Sequence, residues 1–339
     1  MMTIDGMGVF TPVGLNVPQT MGSLRTGLER FSEIEVFGED GEPVVASSTP
    51  LQRDGLLGTE RLIAMGGFAL AECAEGHEAE PTPILLCAPE PAEAGTTFPF
   101  EHVVSGLARH AGVSIDPSLS RLFPMGHAAI GHALHHAREL LSSRRARACY
   151  VGATDSLLQL DRLALLMKLE RIKNSNTSDG FIPGEAAAFL RVTTAARHAG
   201  TYALIHGIGF GTERSTRTSG EPLAAVGMTA AFRAALGDAR ATIQDVDLVA
   251  TDLSGERYGF QEMALAMTRL KPRRPNPLPT WSLAESVGEV GAAAGPLALA
   301  YLAFMARAGG APGPRLMFAG GSESGARTAI MLGQVHDGL

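Results

Sequence analysis

Residues 285–295 read ESVGEVGAAAG, a stretch of mostly small side chains that contains two acids, Glu285 and Glu289. Glycine and alanine at this density favour a tight turn followed by a closely packed helix. The apolar run continues to about residue 306 and is interrupted by Gly295 and Pro296. It is shorter than the roughly 20 apolar residues that a membrane span needs, so we predict a buried helix.

Four further stretches flank this one along the chain. They read IDGMGVFTPVG at 4–14, YVGATDS at 150–156, DGFIPGEAAA at 179–188 and FAGG at 318–321. Together and in this order, the five stretches resemble motifs of β-ketoacyl synthases, the carbon–carbon condensing enzymes of fatty-acid and polyketide synthesis. The resemblance implies a thiolase-like fold, with five layers in the order αβαβα and two related halves.

The rest of the chain is consistent with that fold class. Apolar strand patterns alternate with amphipathic helix patterns, which is typical of a layered α/β protein. We predict a first half over residues 1–195 and a second half over 196–339, packed as one compact unit.

The resemblance also assigns the position of the family's cysteine nucleophile. The family stretch reads like CATGAHAIG, and residues 123–131 here read FPMGHAAIG, so the cysteine position falls on Phe123. The family places its cysteine at a helix N-terminus, where the helix dipole stabilises the thiolate. A phenyl ring cannot attack a thioester, and we expect Phe123 to plug the cavity instead.

The other catalytic positions of the family are replaced as well. The motif KSxxGHxxGAAG places the lysine on Ala284 and one histidine on Glu289, and the HGTxT loop places the other histidine on Asp252. Acid–base groups typically contribute about 10²–10⁴-fold each to a rate. Ionised carboxylates would also repel the oxyanion that the histidines stabilise. Condensing activity is therefore not expected.

The acidic side chains at these positions lead to a second prediction, which concerns the pocket. Asp252 and Glu289 should converge on one cavity, with Glu256 and Glu285 nearby. Two close carboxylates rarely ionise together, so one pKa should rise. Such a pair can act in general acid–base chemistry or hold a cation, or it can be hydrogen-bonded and inert; we favour an inert or binding role. No cofactor or metal is expected.

Several histidines crowd the segment after Phe123, at positions 127, 132, 135 and 136. His132 and His136 have the i,i+4 spacing that can place two metal ligands on one helical face. No HExxH pattern accompanies them, so we predict structural histidines.

Composition and charge limit the classes of function and the cellular location that remain. The formal net charge of −7 gives no overall case for nucleic-acid binding. The three cysteines, Cys73, Cys87 and Cys149, lie in core-like patterns, and an odd, sparse count favours a reducing compartment. The first residues run directly into a strand pattern, and we predict a cytoplasmic protein without a membrane span.

Three hypotheses of function remain open. The first is a non-condensing partner or scaffold in fatty-acid or polyketide-type metabolism, for which chain-length-factor subunits are the family precedent. The second is an enzyme with replaced chemistry on an acyl thioester, using Asp252 or Glu289. The third is a module that binds an acyl group or another small ligand.

The resemblance also implies partners. It implies a homodimer that pairs through a strand near residues 146–152, or a heterodimer with an active ketosynthase. Acyl carrier protein is a third candidate, since the resemblance implies that basic surface patches receive it; for the two basic clusters here a solvated surface is the simpler interpretation. The clusters are Arg144, Arg145 and Arg147, and Arg269, Lys271, Arg273 and Arg274.

Overall fold

Short strands rich in alanine and β-branched residues alternate with helices that pack against them. The structure is a computed structural model, and it describes residues 1–38, 41–51, 56–91, 98–194, 200–271, 273 and 277–334. The strands are β1 (Met2–Phe10), β2 (Ser32–Phe37), β3 (Pro43–Ala46), β4 (Ile84–Ala88), β5 (Arg121–Pro124), β6 (Ala148–Ser156), β7 (Glu185–Thr194), β8 (Ala203–Thr212), β9 (Leu248–Thr251), β10 (Thr280–Ser282), β11 (Arg315–Gly321) and β12 (Ala326–Gly333). The helices are α1 (Val17–Thr26), α2 (Gly58–Cys73), α3 (Phe100–Ala111), α4 (Ala129–Ser142), α5 (Leu160–Lys168), α6 (Val226–Asp238), α7 (Arg257–Leu270), α8 (Ala284–Val287) and α9 (Ala294–Ala308).

Ten of the strands form one sheet that consists of two similar parts. The first part has the order β5-β4-β6-β7-β1 and the second has the order β10-β9-β11-β12-β8. In each part the first three strands in that order run parallel and the last two pair antiparallel. The parts join where Met2–Ile4 pairs with Ala203–Ile205. The prediction of two related halves is confirmed.

Helices complete five layers around this sheet. Helices α2 and α3 cover the outer face of the first part, and α6 and α7 cover the outer face of the second. Helices α4 and α9 lie between the two parts, in the largest apolar cluster. The thiolase-like αβαβα prediction is therefore confirmed. The proposed boundary at residues 195 and 196 lies outside the described residues and stays a prediction.

The apolar run after residue 291 is a core helix, as predicted. The segment Gly291–Ala308 is long and apolar enough to cross a membrane by length and composition, but 78% of it is buried inside the protein. All three cysteines are also buried, in agreement with the sequence prediction, and burial raises the pKa of each thiol.

Close helix–sheet contacts at glycine repeat in both halves. A Cβ on Gly8 of β1 would lie 2.0 Å from the carbonyl oxygen of Ala69 in α2. A Cβ on Gly209 of β8 would lie 2.1 Å from the carbonyl oxygen of Ala231 in α6. Each helix can therefore rest on its sheet only because these strand positions carry no side chain.

The Gly209→Ala substitution should consequently destabilise the protein. Helix α6 would have to move off β8, and we expect the free energy of unfolding to fall by about 1–3 kcal/mol. Gly237→Ala is the matched control, since Gly237 is exposed on α6 and a Cβ there meets no described atom within 4 Å. It should stabilise by up to about 1 kcal/mol. Denaturant unfolding measures both, and equal effects of the two substitutions would contradict the packing argument.

The strand predicted to pair two protomers is not available for pairing. Residues 146–152 lead into β6, which pairs with β4 on one side and with β7 on the other. That prediction is wrong. Among the described strands of this sheet, β5 and β10 form the edges, because each pairs with one neighbour.

Candidate functional site

Three loops meet at the carboxyl ends of the parallel strands, where the sheet leaves room for a site. His127 lies in the 3₁₀ turn Gly126–Ala128 that leads into α4, and Asp252 follows β9 directly. Glu289 lies between α8 and the 3₁₀ turn Gly291–Ala293. The first residue comes from one half of the fold and the other two from the other half. The predicted convergence of Asp252 and Glu289 is thus found, with a histidine between them.

His127 bridges the two acids. Its Nε2 lies 2.7 Å from Oε1 of Glu289, and its Nδ1 lies 3.3 Å from the carbonyl oxygen of Gly321 and 3.6 Å from Oδ2 of Asp252. Both ring nitrogens therefore face oxygen atoms of neighbouring groups.

Backbone amides hold the two carboxylates in place. The amide of Gly291 donates to Oε1 of Glu289 at 2.8 Å, and the amide of Gly321 donates to Oδ2 of Asp252 at 2.7 Å. The side chains of Glu289 and Asp252 are 6% and 11% exposed, and that of His127 is 23% exposed. The group is fixed to the backbone but reaches solvent on one side.

The surroundings separate the two carboxylates in pKa. Burial raises the pKa of Asp252, and the charge of Glu289 adds to that rise against the opposing effects of His127 and the Gly321 amide. Burial alone would also raise the pKa of Glu289. There the attraction and hydrogen bond of His127, with hydrogen bonds from Ser254 and the Gly291 amide, lower the pKa overall. The predicted rise of one pKa of the pair therefore falls on Asp252.

His127, Asp252 and Glu289 line an open pocket of about 290 Å³. Its walls combine an apolar side with a charged side. The apolar side chains are Leu157, Leu165, Leu166, Leu169, Phe181, Met228, Leu253 and Met263. Four of these eight side chains lie in residues 157–169, which comprise helix α5 and the residues that flank it. An amphipathic ligand suits such a pocket better than a fully polar one.

The charged side of the pocket is a paired network. Arg171 Nε donates to Oε1 of Glu256 at 2.8 Å, and Arg171 Nη2 lies 2.8 Å from Oε1 of Glu323. Arg217 lies 3.4 Å from Oε2 of Glu323. Glu256 does line the pocket, as predicted, but its bidentate pairing with Arg171 gives it a structural role in joining three loops.

A second ion pair supports the turn that carries Glu289. Asp155 is 1% exposed, and its Oδ1 lies 2.5 Å from Nη1 of Arg162. Its Oδ2 accepts a hydrogen bond from the amide of Ala292 at 2.8 Å. The end of β6 and the start of α5 are thereby joined to the turn after Glu289.

Phe123 does not plug the pocket. The residue lies on β5, opposite Cys87 of β4, and belongs to the central apolar cluster. Its ring packs against His136 at a centroid distance of 5.9 Å, and it is absent from the residues that line the pocket. The expectation of a blocked cavity is therefore wrong, because the strand continues through this position and turns the ring into the core.

Two further predicted positions do not line the pocket. Ala284 is half-buried at the start of α8; it does not line this pocket, but it lines a small neighbouring cavity together with Asp252 and Glu289. Glu285 is exposed on the same short helix, so the expectation that it joins the acidic group is wrong. Among the described residues, no cluster of three or more histidine, cysteine, aspartate or glutamate side chains forms a metal site.

The basic clusters lie at the other end of the sheet. Arg144, Arg145 and Arg147 are exposed just before the start of β6, whereas the end of β6 faces the pocket. Arg269, Lys271 and Arg273 are exposed at the end of α7, about 20 Å along the helix from Tyr258 at the pocket. Arg274 lies outside the described residues.

His127 is the site residue that the sequence interpretation missed. It was grouped with its neighbours as a structural histidine. The neighbours do have structural contacts: His132 packs on Phe210 at 4.4 Å, and His136 lies 3.2 Å from Glu139. The available signal that His127 differs is its position, two residues before α4 and four residues after Phe123.

Comparisons with known proteins agree with this geometry at the level of the fold. No family model matches the sequence, and no curated protein matches it. Solved structures match over nearly the whole chain. A type II PKS acyl-carrier protein in complex with its ketosynthase, AntDE:AntF, gives a TM-score of 0.81 at 16% identity, covering 98% of this chain and 99% of that one.

Two further solved structures are similar. A β-ketoacyl synthase from Burkholderia phymatum STM815 gives a TM-score of 0.76 at 17% identity, covering 99% of each chain. The ketosynthase ApeO in complex with its chain length factor ApeC, from Xenorhabdus doucetiae, gives 0.74 at 14% identity, covering 98% of each chain. The chain therefore has the thiolase-like fold of the β-ketoacyl synthases, as its motifs predict.

Proposed function

We propose that this chain is a ketosynthase-fold protein that does not condense, and that it works as the partner subunit of an active ketosynthase in fatty-acid or polyketide-type metabolism. One observation carries the proposal. The position that matches the nucleophile is Phe123, which is buried in β5, while the pocket floor holds Asp252 and Glu289 around His127. A covalent nucleophile is indispensable to a condensing mechanism that proceeds through an acyl-enzyme.

The comparisons add support for a partner role. One similar structure is a ketosynthase with its chain length factor, and another is a ketosynthase with an acyl-carrier protein. An acyl carrier protein that docked at either basic cluster would hold its acyl group at the end of the sheet that lies away from the pocket. We therefore favour a ketosynthase subunit as the partner, with a homodimer as the form adopted in its absence.

The edge strand β5 is the surface that we assign to this pairing. An exposed sheet edge offers unpaired backbone groups to a second chain, and Arg121 and Pro124 at its ends are exposed. A lysine on an edge strand is a device that proteins use against such pairing. The Leu122→Lys substitution therefore tests the surface, since Leu122 lies in β5 and is half-buried.

Leu122→Lys should weaken pairing. The tagged protein, co-expressed with the ketosynthases of the organism that encodes it, should co-elute with one of them at fixed stoichiometry. The variant should lose about tenfold or more in affinity for that ketosynthase. Leu265→Lys on the outer face of α7 is the control and should leave pairing unchanged. Light scattering and co-elution give the readout. A wild-type protein that stays monomeric, both alone and with each of these ketosynthases, would contradict the proposal.

A further inference from the structure

The charges that line the pocket do not cancel at its floor, which His127, Asp252 and Glu289 form. Each arginine that lines the pocket, among the described residues, has a carboxylate partner. The pairs are Arg162 with Asp155, Arg171 and Arg217 with Glu256 and Glu323, and Arg327 with Glu262. Asp252 and Glu289 form no ion pair with an arginine of the described residues, and the base beside them is His127. Two ionised carboxylates exceed the single charge that one imidazole can carry, so the floor favours a cationic ligand.

Asp252 is the acid of the floor that can accept a further hydrogen bond. Oε1 of Glu289 lies 2.7 Å from Nε2 of His127 and accepts from the Gly291 amide, and Ser254 donates to the same carboxylate. Asp252 accepts from the Gly321 amide through Oδ2, whereas its Oδ1 accepts no hydrogen bond from the described residues. Its side chain lines the pocket and is 11% exposed. An ammonium group, which donates hydrogen bonds and accepts none, fits such an oxygen.

The apolar wall fixes the other part of the ligand. Leu165 and Leu166 of α5 are half-buried and line the pocket, and Leu169 beside them is 47% exposed. These side chains would be covered by an alkyl group that extends from the floor towards solvent. The volume of about 290 Å³ lies at the lower end of the range for small-molecule sites, roughly 300–1,000 Å³. The pocket therefore suits a single short chain with one charged end.

We propose that this pocket binds a small amphipathic amine, whose ammonium group donates to Oδ1 of Asp252 and whose alkyl chain lies along the leucines of α5. An anionic amphiphile of the same length is disfavoured, because its head group would approach two carboxylates. A neutral one would gain the apolar contacts alone. The inference concerns binding, and it does not depend on the partner role proposed above.

Three probes that share one alkyl chain test the charge preference on the wild-type protein. Octylamine, octanol and sodium octanoate are titrated by isothermal calorimetry at neutral pH, below their critical micelle concentrations. Octylamine should bind about 10–100-fold more tightly than octanol, because it adds a charged hydrogen bond. Octanoate should bind more weakly than octanol. Octanol that binds as tightly as octylamine, or octanoate that binds best of the three, would overturn the proposal.

The Asp252→Asn variant tests the assignment of the carboxylate. It should bind octylamine about 10–100-fold more weakly than the wild type and should bind octanol nearly as well, since the apolar wall is unchanged. Glu285→Gln removes an exposed carboxylate on α8 outside the pocket, and this control should match the wild type with both probes. Equal octylamine affinities of Asp252→Asn and the wild type would contradict the proposal. Co-elution with a ketosynthase should survive Asp252→Asn, so failure of this inference is distinguishable from failure of the partner role.

Discussion

Purified protein is expected to form no carbon–carbon bond from a primed acyl thioester and a malonyl donor, and the Phe123→Cys variant is expected to remain inactive. On our assignment, loss of the acid–base groups alone would account for roughly 10⁶-fold, and the nucleophile is a separate requirement. A cysteine at position 123 would lie in β5, paired with β4 opposite Cys87 and buried in the central apolar cluster. Its thiol would be protonated there, because burial in apolar surroundings raises the pKa of a thiol.

The charges that line the pocket also argue against condensing activity. A condensing site needs donors aimed at a developing oxyanion, whereas here two carboxylates, at the positions that we assign to the histidines, lie beside one imidazole. Mass spectrometry of the reaction products is the measurement, with an active ketosynthase as the positive control. An elongated acyl product from the wild-type protein, or from Phe123→Cys alone, would contradict the assignment of these positions.

The fold was predictable because the motifs that shape it are local. Turns such as that at Gly288–Gly291 require backbone conformations that glycine supplies, with φ values of 70° and 58° at these two residues. Their order along the chain then identifies the fold even where the catalytic side chains differ. The duplicated strand order follows from the same alternation of strand and helix in each half.

The arrangement of the site was less predictable because it depends on the direction of single side chains. Phe123 and His127 are four residues apart, yet one points into the core and the other lines the pocket. The intervening turn, with Gly126 at a φ of 53°, separates the strand from the helix and sets both directions. Glu285 and Glu289 diverge for a similar reason, since a short helix ends between them. Edge strands are equally hidden from a sequence, because pairing partners lie far apart along the chain.

Asp155→Ala should be among the most destabilising single changes in this protein. Asp155 and Arg162 form an ion pair in which the side chains are 1% and 8% exposed. Removal of the carboxylate leaves the guanidinium buried without its partner, which costs about 3–5 kcal/mol. It also removes the acceptor of the Ala292 amide, so the turn beside Glu289 should loosen.

A double variant separates these two contributions. Asp155→Ala with Arg162→Met removes both charges, so most of the lost stability should return, because a buried pair replaced by apolar side chains is often neutral. A residual loss of about 1–3 kcal/mol should remain from the unpaired amide of Ala292. Arg315→Ala is the control; its half-exposed pair with Asp245 spans 3.1 Å, and surface pairs contribute at most about 1 kcal/mol. Denaturant unfolding measures all three variants. If the single and double variants were equally unstable, the buried charge would not be the cause, and the hydrogen bonds that Asp155 accepts from the Ala292 and Ser156 amides would account for the loss.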